Sequence, residues 1–494
     1  MVEQISINIE DLNLPSLFPM MIAVVGALFI LCIDLATKNL HKSLYIILTI
    51  FVLLVDLLAV VGYTGTTRGF FDLMLIDGIA ILTQVIILVA SILFIVLAFS
   101  KQKFHEYKYA EYFALFLFMI AGFQFMVSSD SLILIFVGLE TSSMALYILI
   151  AMHNRDKSTE AAIKYFTMGA LSTAFFAFGS MIFYALTGSV ELGQISGSFV
   201  ASDFANYPFI LLGVVFILGG IGFKLSIVPF HTWAPDVYEG SSAAMAGYMS
   251  VVPKIAAFVV ALRFFEIFVS VDNQWVELIL YTIVVSTMTI ANMAALVQTD
   301  VKRTLAYSSI SHAGFVMATI LMGTTQATEA LFLYWILFSF ANLGAFAILW
   351  MARTKENNTF TSDHAFEKYA GLIKTSPVVA SMMGLFMLSL AGIPPFSVFW
   401  GKMFLISTAI NSDYIILALI MILNSAIAVY YYLKLIVYMF LKEPIVNTEK
   451  LSMNNENNAL RGVILIAAIL SLGAIFYIDP LLEVISIYVE ISGY

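Results

Sequence analysis

Uninterrupted apolar runs of about 20 residues recur along the whole chain, and each is long enough to cross the ~30 Å hydrocarbon core of a bilayer as a helix. They lack the short alternating pattern of barrel strands. We therefore expect an all-α integral membrane protein. The fourteen predicted spans lie near residues 16–36, 43–63, 75–99, 110–127, 131–152, 160–187, 207–230, 242–269, 274–298, 304–323, 327–352, 376–410, 413–441 and 460–489.

Composition agrees with a membrane setting. Hydrophobic residues make up 61% of the 494 residues and charged residues 11%, whereas a soluble domain has roughly 25% charged residues. A nucleic-acid-binding protein is therefore not expected. The single cysteine, Cys32, offers neither a disulfide framework nor a cysteine metal site. We expect no cofactor in this chain, so that any redox centre belongs to partner subunits.

Basic residues fall in alternate connections between the predicted spans. The positive-inside rule places those connections in the cytoplasm. Fourteen spans then put both termini in the periplasm, for a multi-pass protein of the bacterial inner membrane. The basic connections hold Lys38, Lys42, Lys101, Lys103, Lys108, Arg155, Lys157, Lys302, Arg303, Arg353, Lys355, Lys368, Lys374, Lys442 and Lys450.

Two spans contain helix breakers at corresponding positions. Residues 376–410 would form a straight helix of roughly 50 Å, too long for the bilayer, and Pro394 and Pro395 supply a break. The span at 207–230 has a corresponding device in Gly219, Gly220, Gly222 and Pro229. These spans, the seventh and the twelfth, are five helices apart, and an odd offset reverses their direction. We therefore expect two inverted repeats, spans four to eight and nine to thirteen, as in transporters whose ion sites lie beside broken helices.

No linker or low-complexity tract divides the chain, which predicts a single membrane domain over residues 1–494. Its expected parts are three N-terminal helices (1–109), a first five-helix repeat (110–270), a second five-helix repeat (271–442) and a C-terminal helix (443–494).

Three charged residues lie too deep in their spans to reach water. Glu140 is roughly 14 Å from either end of its span, Lys254 is roughly 18 Å deep, and Lys224 is comparably deep. Asp56 is also deep but has no partner visible in the sequence. A lone charge in the membrane interior is costly, so the first three side chains are expected to face one another. Beside broken helices they indicate a proton path, with a static ion pair as the alternative.

Four further residues are candidates for proton transfer. Lys402 follows the double-proline break. His231 and His312 can titrate near neutral pH, although a helical histidine can equally be a hydrogen-bonded packing residue. Lys164 is one turn past Glu160, and its position alone favours snorkelling to the surface.

These residues suggest a mechanism. A lysine close to a carboxylate holds its proton more firmly than a lysine buried alone. Lys224 with Glu140 is therefore a natural switchable pair, Lys254 a central relay and Lys402 a relay in the second repeat. The sequence has no phosphate-binding loop and no G-x-G-x-x-G turn, so the driving energy is expected to come from elsewhere.

Six motifs over residues 110–410 resemble one family, in order: FVGLETSSMALYILIA, EAAIKYFTMGALSTAFFAFG, FKLSIVPFHTWAPDVYEGS, SVVPKIAAF, ALVQTDVKRTLAYSSISHAG and LAGIPPFSVFWGKMFL. The family is that of the antiporter-like subunits of proton-pumping NADH:quinone oxidoreductase, respiratory complex I. Within it, EAAIKYF and KRTLAYSSISHAG are most similar to subunit N. Subunits of cation/proton antiporters and membrane-bound hydrogenases share this plan and are the alternative.

The resemblance implies a role for each matching residue. Glu140 matches the fifth-helix glutamate, Lys224 its seventh-helix lysine partner, and Lys254 the central eighth-helix lysine. Lys402 matches the twelfth-helix lysine toward the periplasmic exit. Lys164 matches a lysine of the sixth helix, and His231 matches the histidine of the broken seventh helix.

The resemblance also implies that quinone reduction in other subunits drives proton movement through this one. Flavin, iron–sulfur clusters and quinone are then expected in partner subunits, and the partners include a neighbouring antiporter-like subunit. One departure is local: after YEG the family usually continues with an A-P-T-P-like run, whereas this chain reads SSAAMAG.

Overall fold

The chain folds into a bundle of helices that cross the membrane repeatedly. A computed structural model describes residues 12–37, 41–100, 104–269, 273–356, 359–361, 364–443, 451–452 and 457–493. Within these ranges, eleven helices are long and apolar enough to span a membrane. Three further passes are each built from a pair of shorter helices, which gives the fourteen predicted passes. Outside the described residues lie both chain ends and the predicted loop residues Lys38, Lys101, Lys103 and Lys450, together with the side chains of Arg353 and Lys355.

The first three passes form an N-terminal group. Its helices are α1 (Phe18–Ala36), α2 (Lys42–Val61) and α3 (Gly78–Val96). Between α2 and α3 an antiparallel hairpin pairs β1 (Thr67–Gly69) with β2 (Met74–Ile76).

The next five passes form the first repeat. Its helices are α4 (Ala110–Val127), α5 (Leu132–Ala151), α6 (Asp156–Thr187), α7 (Leu192–Ala201), α8 (Tyr207–Leu225), α9 (Trp233–Gly240), α10 (Ala243–Met249) and α11 (Val252–Val269). The short helix α7 lies between passes and was not predicted. It buries Leu192, Ile195 and Phe199, which share one face of a helix because they are spaced three and four residues apart.

The second repeat and the C-terminal pass follow. Their helices are α12 (Gln274–Leu296), α13 (Val301–Met322), α14 (Thr325–Met351), α15 (Leu372–Thr375), α16 (Pro377–Ala391), α17 (Ser397–Asn411), α18 (Ile415–Leu441), α19 (Asn458–Leu472) and α20 (Ile478–Ile491). A small antiparallel sheet in the order β4-β3-β5 joins Arg353–Glu356 (β3), Thr359–Thr361 (β4) and Leu451–Ser452 (β5).

The two repeats pack in equivalent ways. In the first, α4 packs against both α5 and α11, and in the second, α12 packs against both α13 and α18. The fourth pass of each repeat is broken, between α8 and α9 and between α16 and α17. The predicted fold, with two five-helix repeats that each contain a broken helix, is confirmed.

Two passes predicted as single helices are interrupted. The eighth pass breaks at Ser250 and Val251, just before Pro253, whose missing N–H and ring oppose a continuous helix. The fourteenth pass breaks after α19, where Gly473 follows the last helical residue, and α20 carries Pro480 in its first turn. Both prolines thus occupy first-turn positions, where proline is tolerated.

A close helix contact beside the candidate site depends on glycine. A Cβ added at Gly138 of α5 would lie 2.6 Å from the backbone oxygen of Gly122 and 2.7 Å from the backbone nitrogen of Met126, both on α4. We expect Gly138→Ala to destabilise the protein by about 1–3 kcal/mol, the usual cost of overpacking. Thermal denaturation of the purified protein measures this effect. Gly462→Ala is the matched control, because nothing lies within 4 Å of the added Cβ at this helical site, and it should leave the midpoint unchanged or slightly raised.

Candidate functional site

The break in the seventh pass is stabilised by side-chain hydrogen bonds. Between the end of α8 at Leu225 and the start of α9 at Trp233, the backbone loses its helical partners. The Trp233 indole N–H donates to the Phe223 carbonyl over 3.0 Å. The Val228 N–H donates to the Thr287 hydroxyl over 3.0 Å. The polar backbone of the break is therefore partly satisfied within the protein, as membrane burial requires.

Lys224 lies in the last turn of α8, next to this break, and is only 2% exposed. Its Nζ donates to the Ser143 hydroxyl over 2.8 Å. The rings of Phe123 and Tyr165 lie 5.7 Å and 6.0 Å from the same nitrogen. Lys224 thus has one neutral hydrogen-bond acceptor and two aromatic faces, which attract a cation.

Glu140 lies on α5, three residues before Ser143, so the two side chains share one face of the helix. Glu140 interacts electrostatically with Lys224. Among the described residues no closed ion pair joins the two groups, since Lys224 donates to Ser143 instead. Lys224 and Glu140 therefore lie within electrostatic range of each other, but the hydrogen-bond partner of the lysine is the neutral Ser143 hydroxyl.

Lys254 follows Pro253 in the first turn of α11 and is 1% exposed. Its Nζ donates to the hydroxyl of Ser309 over 2.8 Å and to the carbonyl oxygen of Ser309 over 2.9 Å. Both acceptors lie on α13, which belongs to the second repeat. Lys254 therefore links the two repeats at the centre of the protein.

His312 lies on α13, three residues past Ser309, and is fully buried between two tyrosines. Its Nδ1 is hydrogen-bonded to the Tyr334 hydroxyl, and its Nε2 lies 3.0 Å from the Tyr432 hydroxyl. Lys254 and Lys402 both act on His312 electrostatically. His312 therefore lies between the central lysine and the lysine of the second break.

Lys402 lies on α17, beyond the second break, and is 5% exposed. Its Nζ donates to the carbonyl oxygens of Ala391 over 3.0 Å and of Leu390 over 3.4 Å. Those carbonyls end α16, where a helix has unpaired acceptors and a partial negative charge. The Phe315 ring lies 5.5 Å from the same nitrogen. The second break therefore frees the carbonyl oxygens that bind Lys402.

Polar side chains lie between Lys254 and Lys402, and hydrogen bonds join four of them, Ser308, Tyr432, His312 and Tyr334. Tyr432 is hydrogen-bonded to Ser308 as well as to His312. Hydroxyls both donate and accept hydrogen bonds, and a neutral imidazole has one donor and one acceptor nitrogen. Such a chain can pass a proton along when one end gains or loses it. We call Lys254, Ser309, Ser308, Tyr432, His312, Tyr334 and Lys402 the central polar chain.

His231 lies in the first break and is partly exposed. Its Nδ1 is buried and has no hydrogen-bond partner among the described residues. The break itself matches the prediction, but no described contact joins His231 to Lys224. Its role in proton transfer stays a prediction.

Lys164 lies at the surface, with 45% of its side chain exposed, as its position alone suggested. Its Nζ lies 2.8 Å from Glu160 and 3.1 Å from Asp236 of α9. Arg303 also binds Asp236, over 2.8 Å. Burial alone would raise the pKa of Asp236, but the hydrogen bonds from Arg303 and Lys164 hold that pKa below its usual value. The functional role implied for Lys164 by resemblance stays a prediction.

Sequence reasoning missed the neutral members of the site. Ser143, Ser309, Tyr334 and Tyr432 were not singled out, because hydroxyl residues are common in helices. A signal was present in the motif SSISH, which places Ser308 and His312 one turn apart on the same helix face. Within the described residues no group of three or more His, Cys, Asp or Glu side chains could hold a metal ion.

Comparisons with known proteins agree on the family. The family described as NADH:quinone oxidoreductase/Mrp antiporter, transmembrane part, matches residues 129–428. A Sulfurimonas denitrificans protein named NADH-quinone oxidoreductase subunit N is 61% identical over 502 residues, covering 100% of both chains. A chain of respiratory complex I from Thermus thermophilus with bound aureothin is 28% identical, with a TM-score of 0.79, covering 94% of this chain and 98% of that one. A chain of the Mrp complex from Dietzia sp. is 18% identical, with a TM-score of 0.82 and 97% of each chain covered, and supports the fold alone.

Proposed function

Because the chain belongs to the NADH:quinone oxidoreductase/Mrp antiporter membrane-subunit family, we propose that its buried lysines carry protons across the membrane. Lys224 with Glu140 forms the loading pair, Lys254 is the central relay, and Lys402 passes the proton toward the opposite side. His312 connects the last two lysines.

One observation carries this proposal: a hydrogen-bonded segment, Ser308–Tyr432–His312–Tyr334, lies between the two lysines Lys254 and Lys402. Lys254 donates to Ser309 over 2.8 Å, and His312 lies between two tyrosine hydroxyls, with Tyr432 in turn bound to Ser308. Buried charges in a membrane are costly and mark ion or proton pathways. A merely structural ion pair would need a carboxylate beside each lysine. In the described chain, Lys254 and Lys402 bind only neutral oxygens.

The chain is a multi-pass membrane subunit of a respiratory oxidoreductase complex. In our proposal it contains no redox centre, and flavin, iron–sulfur clusters and quinone belong to partner subunits. Quinone reduction there drives the proton movement here, and a neighbouring antiporter-like subunit is one contact. The side of the membrane that carries the basic connections, here called the basic face, is cytoplasmic, and both termini are periplasmic. The 61% identity to a subunit N supports this assignment over a cation/proton antiporter or a hydrogenase arm.

Lys402→Met tests the proposal. Methionine keeps most of the side-chain length but carries no proton, so proton uptake per electron by the complex in proteoliposomes should fall by half or more. Lys434→Met is the matched control. Lys434 also lies on a membrane helix, where it donates to the Gln298 carbonyl over 2.8 Å and stacks on Phe366, but it is outside the central polar chain. Equal proton uptake by the two assembled variants would contradict the proposal.

A further inference from the structure

Asp56 is a buried ionisable group outside the central polar chain. Asp56 is on α2, in the N-terminal group that precedes the matched family segment 129–428, and its side chain is 0% exposed. One carboxyl oxygen, Oδ2, accepts a hydrogen bond from Gln124 Nε2 over 2.8 Å. The other, Oδ1, is buried and has no partner among the described residues.

Among the described residues, the helices packed around Asp56 offer no nearby basic side chain to neutralise it. Helices α1, α3 and α4, which pack against α2, contain no Lys, Arg or His. Within α2 the only basic residue is Lys42, at its first position, fourteen residues or roughly 21 Å away along the helix. A lone carboxylate in a membrane helix therefore lacks the partner that normally makes its burial tolerable.

The other titratable groups on α1 to α4 lie at the ends of these helices that are farthest from Asp56. Asp34 on α1 is bound by Tyr45, and Glu111 is in the first turn of α4, next to the basic face. Asp56 acts electrostatically on Tyr63, just past the end of α2, but the Tyr63 hydroxyl donates to the Pro15 carbonyl. Asp56 thus has one neutral amide, that of Gln124, as its hydrogen-bond partner and no cation within the described chain.

Neutral amides connect Asp56 to the edge of the membrane. Gln124 Nε2 also lies 3.4 Å from Gln84 Oε1, and Gln84 Nε2 donates to the Ser128 hydroxyl over 2.7 Å. Ser128 directly follows α4, in the loop opposite to the basic face. Two residues later Asp130 is bound by Arg68, whose side chain is 45% exposed. The amide chain therefore ends at a buried hydroxyl, two residues from an ion pair whose arginine is partly exposed.

Two buried acceptor atoms of the Asp56–Gln124–Gln84–Ser128 group, Asp56 Oδ1 and Gln124 Oε1, have no donor among the described residues. Buried polar atoms in proteins nearly always have a hydrogen-bond partner. A proton on Asp56 removes the uncompensated charge and turns one of its oxygens into a donor. We propose that Asp56 is a proton-binding site, protonated at neutral pH, that exchanges its proton with water entering from the non-basic side of the membrane beside the polar side chains of Gln124, Gln84 and Ser128.

Infrared spectroscopy of the purified complex tests this proposal. A protonated carboxyl gives a C=O stretching band that a carboxylate lacks, and a side-chain 13C label on aspartate shifts that band. At pH 7 we expect a label-sensitive acid band in the wild type that Asp56→Asn removes. In Asp56→Glu this band should be replaced by an acid band that the aspartate label does not shift. The glutamate variant provides the same test if the asparagine variant does not assemble. Identical aspartate bands in wild type and Asp56→Asn, or no such band, would refute the proposal and indicate an ionised group or a bound cation.

The exchange path has its own test. In D₂O the Asp56 band should shift as the proton is replaced by deuterium, and Gln84→Leu should slow this shift at least tenfold. Thr83→Val is the matched control, because Thr83 is also buried on α3 but donates only to Ile79 of its own helix. A band that does not shift, or an equal rate in both variants, would refute the path.

Discussion

Replacing Lys254 by methionine should reduce the rate of proton uptake at least about tenfold, which corresponds to about 1.4 kcal/mol or more in the barrier. The reason is its position: Lys254 lies at the junction of the two repeats and donates to both oxygens of Ser309. Methionine has a similar length and keeps the packing, but it can neither hold nor release a proton. Proton uptake by the complex in proteoliposomes, driven by its own electron transfer, measures the effect.

Ser309→Ala is the graded comparison for this variant. It removes the hydroxyl acceptor but leaves the Ser309 carbonyl, so Lys254 keeps one of its two hydrogen bonds. Proton uptake should fall by less than in Lys254→Met. Normal uptake by assembled Lys254→Met would show that the central lysine is a packing residue.

The second large effect concerns stability. Arg263 of α11 binds Asp77, the residue that caps α3, over 2.6 Å, and the two side chains are only 5% and 3% exposed. Arg263→Met leaves the carboxylate of Asp77 buried without its partner, which costs about 3–5 kcal/mol for a buried pair. We expect a clear fall in the denaturation midpoint of the purified complex, accompanied by poorer assembly.

Two comparisons isolate the charge in that experiment. Arg68→Met breaks the more exposed pair with Asp130 and should cost only about 0–1 kcal/mol. Adding Asp77→Asn to Arg263→Met removes the stranded charge while asparagine can still cap α3, so the midpoint should partly recover. Equal losses for Arg263→Met and Arg68→Met would contradict this account.

The number of passes and the position of both breaks could be predicted from the sequence. Apolar runs of membrane length identify the passes, and the prolines and glycines identify the breaks, because a missing N–H or a missing side chain has a direct effect on the backbone. The same reasoning failed at Pro253 and Pro480. A single proline in the interior of a run was absorbed into one predicted helix, although it marks the first turn of a second one.

The buried charges were also predictable, but their partners were not. Depth along a span identifies Lys224, Lys254 and Glu140 as interior residues, because their side chains are too far from either end to reach water. Which hydroxyl each lysine binds depends on how helices from different repeats pack. Ser309 lies 55 residues from Lys254 in the sequence, and no local pattern connects the two. For the same reason Asp56 seemed to have no partner, whereas Gln124 lies 68 residues away.

The central claim is that the buried lysines act by releasing protons and not merely as positive charges. The most direct test is the number of protons taken up per electron by the complex carrying Lys254→Arg, after assembly has been verified. Arginine keeps the charge and the hydrogen bonding but stays protonated at all accessible pH values. We predict a proton yield as low as that of Lys254→Met. A normal yield with arginine would contradict the account, because it would show that a fixed positive charge at this position is sufficient.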